Sequence, residues 1–229
     1  METINTRRLS TRDIAYEYIK GQIINGDLVP DSPIIEDQVA KELSISRTPL
    51  REALQRLEFE GLISRQTNGR LKVSTISVHE VNEIFQVRSL LEGLLAREAT
   101  LKASENDIKE LRTFTKLIVE ASLLDNRKDV VRYGSMFHNY LYSISNNQTA
   151  VKILLQLNDK ISRYRRIGPI RDSMRSKTAA EEHQDLFNLI EKRDAIAVED
   201  AMKLHINNSL KSAVKSIEEY IAQREEMEE

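Results

Sequence analysis

Hydrophobic positions along this chain recur at three- and four-residue spacing almost everywhere, which predicts helices throughout, with one short exception near residue 70. A first helix is expected over residues 13–25, with Ala15, Tyr18, Ile19 and Ile23 on one face and Gly26 as its C-terminal stop. A shorter second helix turns Ile35, Val39, Ala40 and Leu43 inward. Ser44-Ile45-Ser46 reads as a tight connection, with Ile45 plugging the gap between helices. The third helix follows at once: Leu50, Ala53, Leu54 and Leu57 occupy i, i+3, i+4 and i+7. Pro49 lies in its first turn, where a missing N–H costs nothing, and Gly61 ends it. Residues 62–65 and 71–73 then alternate as two short strands around the turn dipeptide Asn68-Gly69.

Beyond residue 76 the pattern is helical without exception. Ser77-Val78-His79-Glu80 reads as a capping box opening a helix to about Lys102. Ser104 with Asp107 opens the next, Asn126 a third, and a fourth covers 148–166. Gly168-Pro169 interrupts the pattern, Thr178-Ala179-Ala180-Glu181 reads as another capping box, and Asp194 caps a last long helix with an acidic tail. The expectation is a mainly α protein of two domains. Residues 8–76 form a winged helix-turn-helix, and 77–225 an all-α antiparallel bundle of six or seven helices.

Composition narrows the chemistry. The absence of cysteine among 229 residues excludes disulfide scaffolds, thiolate metal sites and cysteine nucleophiles. No apolar run approaches the ~20 residues that span a bilayer, so no membrane partner and a cytoplasmic location are expected. With 34 basic and 36 acidic residues the net charge is −2, so any nucleic-acid surface must be local. It is local: residues 45–76 hold six Lys/Arg against three Asp/Glu.

On the face of the third helix opposite the leucines, Arg47, Arg51 and Gln55 form an i, i+4, i+8 row. The first turns of a recognition helix meet base edges in the major groove, and a guanidinium fork matches guanine O6 and N7. Ser46 and Thr48 place short hydroxyls at the same end, suited to phosphate. Arg65, Arg70 and Lys72 add charge to the hairpin; Arg65 and Lys72 read equally as phosphate contacts or surface residues. The run Leu43-Ser44-Ile45-Ser46-Arg47-Thr48-Pro49-Leu50-Arg51-Glu52-Ala53-Leu54 closely resembles the helix-turn-helix of GntR-family transcriptional regulators, as do Leu57, Glu58, Glu60, Gly61 and Leu62 beyond it. Residues 24–30 resemble the family's lead-in, with Asp31 where a glycine usually follows the proline. The resemblance implies that Ser46, Arg47, Thr48, Arg51 and the wing tip Asn68-Gly69-Arg70 contact double-stranded operator DNA.

The bundle carries three of the four histidines; the fourth, His79, lies in the capping box. His138 shares a row with Val130, Gly134 and Leu141, His183 with Leu186, Phe187 and Ile190, and His205 with Val198, Ala201 and Met202. A lone histidine on an apolar face is usually a hydrogen-bonded core residue. Three on three helices are better explained by convergence on a metal. Arg88 and Glu92 lie within the apolar stripe of the first bundle helix. They read equally as a partly buried i, i+4 ion pair or as a guanidinium lining a cavity and receiving an effector carboxylate.

The run 85–92, Phe137-His138, Asn147, Glu182-His183 and His205 resemble the FCD effector domain of FadR-type regulators. The resemblance implies a divalent metal (zinc, nickel or manganese) on His138, His183 and His205, with a small carboxylate or sugar-acid effector against it. The family's aspartate would fall at Gly134, so the anionic ligand is missing and water or effector oxygen must complete the set. The expectation is a homodimeric, effector-controlled repressor rather than an enzyme. A metal-dependent helical enzyme and a regulator with a non-functional pocket stand as alternatives. Against the enzyme, no acidic residue is evident beside the histidines as a general base, and His-x-x-x-His and Glu-x-x-His spacings are absent.

Overall fold

The structure, a computed structural model, describes residues 9–167 and 173–228; Gly168-Pro169 lies outside the described residues. Packing divides the chain at residues 76 and 77 into two units.

In the first unit, α1 (Thr11–Asn25) starts where Ser10 Oγ accepts from the Asp13 amide and stops at Gly26, φ 73°. Its fully buried aromatic is Tyr16, whose hydroxyl donates to Glu60, while Tyr18 is only half-buried. Between α1 and α2 (Glu36–Glu42) lies a strand the sequence pattern did not predict, β1 (Pro33–Ile34). Two residues are too few to show alternation; the strand exists because residues 71–73 offer it a ladder. The wing hairpin β2 (Ile63–Arg65) and β3 (Leu71–Val73) pairs antiparallel, and β1 adds to the other edge of β3, giving the order β1-β3-β2. Asp31, φ 67°, makes the turn into β1 in the left-handed conformation that favours glycine; aspartate tolerates it, and its carboxylate accepts from Lys72 Nζ at 2.7 Å.

Helix α3 (Arg47–Phe59) buries Leu50, Ala53, Leu54 and Leu57 completely against α1 and β2. Truncating one of these leucines to alanine is worth about 2–5 kcal/mol. Ile35 departs from expectation: it is the N-cap of α2 and exposed, because α2 starts only at Glu36 and Val39, Ala40 and Leu43 alone reach the core. Ser44 turns the chain at φ 54°.

The second unit contains α4 (Val78–Lys102), α5 (Glu105–Leu123), α6 (Arg127–Ser145), α7 (Gln148–Ile167), α8 (Ser173–Glu191) and α9 (Ala195–Glu228). The long α4 packs along α9 and against α6 and α7, while α5 closes over α6 and α8. Ser104 and Asp107 form a complete capping box, and Asn126, Asn147 and Asp194 each accept an amide of the following helix. The box at Ser77 is half made: its hydroxyl accepts from the Glu80 amide, but the Glu80 carboxylate is held by Lys160 instead.

Thr178 caps nothing. Helix α8 already runs through it, and its hydroxyl donates to the Met174 carbonyl one turn back. No described helix is long and apolar enough to cross a membrane.

Candidate functional site

Two constellations were expected, one in each unit. In the first, Ser46 is the N-cap of α3, and Arg47, Thr48, Arg51 and Gln55 are all exposed on the face away from the buried leucines. The arginines are not bare. Arg47 Nη2 stands 2.9 Å from Asp37 Oδ1, and Arg51 Nε donates to Glu36 Oε2 at 3.0 Å, both acids lying in the first turn of α2. At the wing tip Gly69 takes φ 80°, Asn68 Oδ1 accepts from the Arg70 amide, and the three residues are exposed. Arg65 braces the wing, donating to both Glu58 oxygens and to the Gly69 carbonyl, and Lys72 is held by Asp31. Both cations that the sequence left open are therefore engaged within the fold. Among the described residues no carboxylate pairs with the Arg70 side chain.

In the second unit His138 on α6, His183 on α8 and His205 on α9 are buried together, with ring centroids 4.6–5.3 Å apart. One ligand atom of each lies within 4.8 Å of the others. His183 Nδ1 contacts the Ala179 carbonyl at 2.6 Å and His205 Nδ1 the Glu182 Oε2 at 2.6 Å. Neither a carbonyl nor a carboxylate can donate, so these Nδ1 atoms carry the proton and Nε2 carries the lone pair. His138 Nδ1 lies 2.5 Å from Glu92 Oε2, at an angle outside a hydrogen bond. His183 Nε2 is buried without a partner.

Burial, and after it the repulsion that a protonated ring would meet from the crowded imidazoles of His205 and His138, holds His183 well below the ordinary histidine range. Burial likewise holds His205 down to about 4 against the opposing hydrogen bond to Glu182. Glu182 is pushed up by burial, but hydrogen bonds from His205 and Arg175 outweigh this and hold it down to about 2. His183 and His205 are thus neutral imidazoles, His205 braced by the ionised Glu182, the state in which histidine ligates.

The sequence reading missed both glutamates. Glu92 was paired only with Arg88, and Glu182 sits beside His183 in sequence but faces His205 in space. Two acids do stand beside the histidines, but both meet Nδ1 and neither is placed as a general base. Arg175 was missed because α8 was expected to begin three residues after it. It is buried, donates to Glu182 and Ser209, and lines the histidine cavity.

Gly134 also lines that cavity, whose volume is about 70 Å³. A Cβ at residue 134 would stand 3.3 Å from His183 Nε2, so any larger side chain there presses on the imidazole.

Arg88 lies elsewhere. Its Nε donates to Glu92 Oε1, so the intrahelical pair is real and buried. It lines a second cavity between α4, α6 and α7 that excludes His183 and His205, and its Nη1 is buried without a partner. Ser135 and His138 line both cavities.

Comparison with known proteins bears on both constellations. Residues 11–73 match the family model described as bacterial regulatory proteins, gntR family, and residues 83–208 match the FCD domain, over half of the chain. The chain is a GntR-family transcriptional regulator with an FCD domain. As GntR relatives, the uncharacterized regulator YdhC of Bacillus subtilis is 28% identical over 208 residues, covering 89% of this chain and 91% of that one. The transcriptional repressor RspR of Escherichia coli is 26% identical over 215 residues, covering 89% and 90%. Among solved structures, E. coli McbR/YncC shares the fold at TM-score 0.72 and 19% identity, covering 91% of this chain and 99% of that one. The metal-free FCD domain of TM0439 does so at TM-score 0.56 and 18% identity, covering 64% and 100%. GntR regulators bind operator DNA, and FCD domains bind small-molecule effectors and often metals. The family consists of transcriptional regulators, which removes the metalloenzyme alternative.

Proposed function

We propose that this GntR regulator is a cytoplasmic, homodimeric repressor of the FadR subfamily, released from its operator by a small carboxylate or sugar acid bound in the FCD domain. Two winged units on one dimer suit a pseudo-palindromic site. Ser46, Arg47, Thr48, Arg51 and Gln55 meet the major groove, with Arg47 and Arg51 at base edges, and Asn68, Gly69 and Arg70 meet the minor groove or its phosphates. The exposure of the whole α3 row beside a fully buried leucine stripe supports this assignment.

The observation that carries the effector reading is the histidine cluster: three buried imidazoles, with a partnerless Nε2 on His183. That donor set fits a divalent metal. His138, His183 and His205 would hold it, with Glu182 orienting His205 through its hydrogen bond and Glu92 lying against His138. An all-imidazole set suits zinc or nickel better than manganese, which prefers oxygen. When bound, the metal supplies Lewis-acid affinity for a carboxylate oxygen. The small residue at 134 leaves the side of His183 open to such an oxygen, and Arg175 adds a buried cation. Arg88 keeps an effector-binding role through the adjoining cavity, where its Nη1 meets a ligand oxygen rather than the bidentate carboxylate first expected. The effector shifts DNA binding only through unequal affinity for two domain arrangements.

Elemental analysis of untagged, chelator-free protein tests the centre. Near-stoichiometric zinc or nickel that His183→Ala loses supports it. No metal in wild type after incubation with zinc, nickel and manganese sinks it, and the bundle then acts as a dimerisation scaffold.

A further inference from the structure

We infer that Glu36 and Asp37 set the sequence specificity of this regulator, by bracing Arg51 and Arg47 so that they read neutral base edges instead of seeking phosphate. The inference rests on the reading above that these two arginines meet base edges.

The two acids open α2, a seven-residue helix whose N-cap, Ile35, makes no side-chain cap. Acids in a first turn stabilise the positive end of a helix, and that accounts for their place in α2. It does not account for where they reach. Each crosses to α3 and takes one arginine of the i, i+4 row, Asp37 the Nη2 of Arg47 at 2.9 Å and Glu36 the Nε of Arg51 at 3.0 Å. Arg70 on the wing has no such acid among the described residues.

A guanidinium offers five N–H donors in a planar fork. With one held by a carboxylate, others remain for guanine O6 and N7, and the plane of the fork is fixed before DNA arrives. The charge balance changes more than the hydrogen bonding. A phosphate carries full negative charge, and a carboxylate about 3 Å from the guanidinium offsets its attraction and repels the phosphate directly. The guanine edge is neutral and suffers little of that repulsion. Non-specific binding is almost wholly a phosphate interaction. The acids therefore weaken binding to arbitrary DNA more than binding to the operator, and the ratio between the two rises.

The test uses the full chain, a duplex selected by the wild-type protein from a random library, and a shuffled duplex of equal length. Affinities are measured from 50 to 200 mM potassium chloride for wild type, Glu36→Gln, Asp37→Asn, Arg47→Ala and Arg51→Ala. The amide variants keep a hydrogen-bond acceptor beside each arginine and remove only the charge. Each should raise affinity for the shuffled duplex about 2- to 5-fold. Each should also steepen that duplex's salt slope by about 0.9, the signature of one added phosphate contact, which a merely structural role would not produce. The selected duplex should gain less, so specificity falls.

An unchanged specificity ratio and salt slope, with the arginine variants still losing the selected duplex, overturns the inference alone. So does parallel loss on both duplexes with a lowered thermal midpoint, which would mean that the acids only hold α2 in place. If Arg47→Ala and Arg51→Ala leave the selected duplex bound as before, the base-reading assignment fails and the inference falls with it.

Discussion

Both units set arginine against carboxylate, and burial makes the two arrangements physically different. In the winged unit the pairs Arg47–Asp37 and Arg51–Glu36 are open to water, with the arginine side chains more than 60% exposed. Such pairs contribute about 0–1 kcal/mol to stability, because water and salt compete for each charge. They can be exchanged for DNA at little cost. In the bundle, Arg88 and Glu92 are almost wholly buried, and Glu92 also faces His138. Two buried charges cannot be exchanged with solvent; they hold each other and fix the imidazole between two cavities. The surface pairs are suited to recognition, and the buried ones to preorganising a site.

The sharpest way to break this contrast is to remove one carboxylate from each region. Glu92→Ala should destabilise the bundle by about 3–5 kcal/mol in urea unfolding, since it leaves Arg88 buried without its counter-charge. A loss below 1 kcal/mol would show that the pair contributes no more than a surface one.

Acidification should come next in size. His183 and His205 are held below the ordinary value by burial, so they remain neutral in the fold where the unfolded chain would protonate them. The unfolded state therefore binds more protons between pH 6.5 and about 4, and stability rises with pH across that window and is complete above it. His205 alone should account for about 3 kcal/mol between those limits. Unfolding free energies measured across the window should flatten in His205→Gln; an unaltered slope would mean that the imidazole is not buried neutral.

On the DNA side, Arg51→Ala should weaken operator binding by about 1–3 kcal/mol, read by fluorescence anisotropy on a selected duplex, with thermal stability unchanged. The smallest effect belongs to the surface acid. Asp37→Ala should change unfolding free energy by less than about 1 kcal/mol. A larger loss would place Asp37 with the buried pairs and dissolve the comparison.

Much of the architecture was legible because it follows periodicity. The leucines of α3 appear at helical spacing in sequence and are fully buried in the fold, and the three bundle histidines fall in apolar rows and turn inward. Where local signals failed, a tertiary partner outweighed them. Thr178 has the sequence of a helix start, yet α8 begins five residues earlier, because the row from Arg175 onward packs against α9 and Arg175 finds Ser209 there. Strand β1 exists only because β3 supplies its hydrogen bonds, and Glu80 completes no capping box because Lys160 on α7 claims it.

The sequence by itself determined what depends on short-range spacing: two units, their helices, the exposed arginine row, and which side chains would be donors. Only the tertiary structure decided which donors meet. The three imidazoles converge from helices dozens of residues apart, Arg88 faces a different cavity from His183 although both looked inward, and Glu92 and Glu182 stand behind histidines that they do not neighbour along the helix. Periodicity records the face a residue occupies, while the neighbour across that face depends on how helices cross, which the spacing along any one of them does not contain.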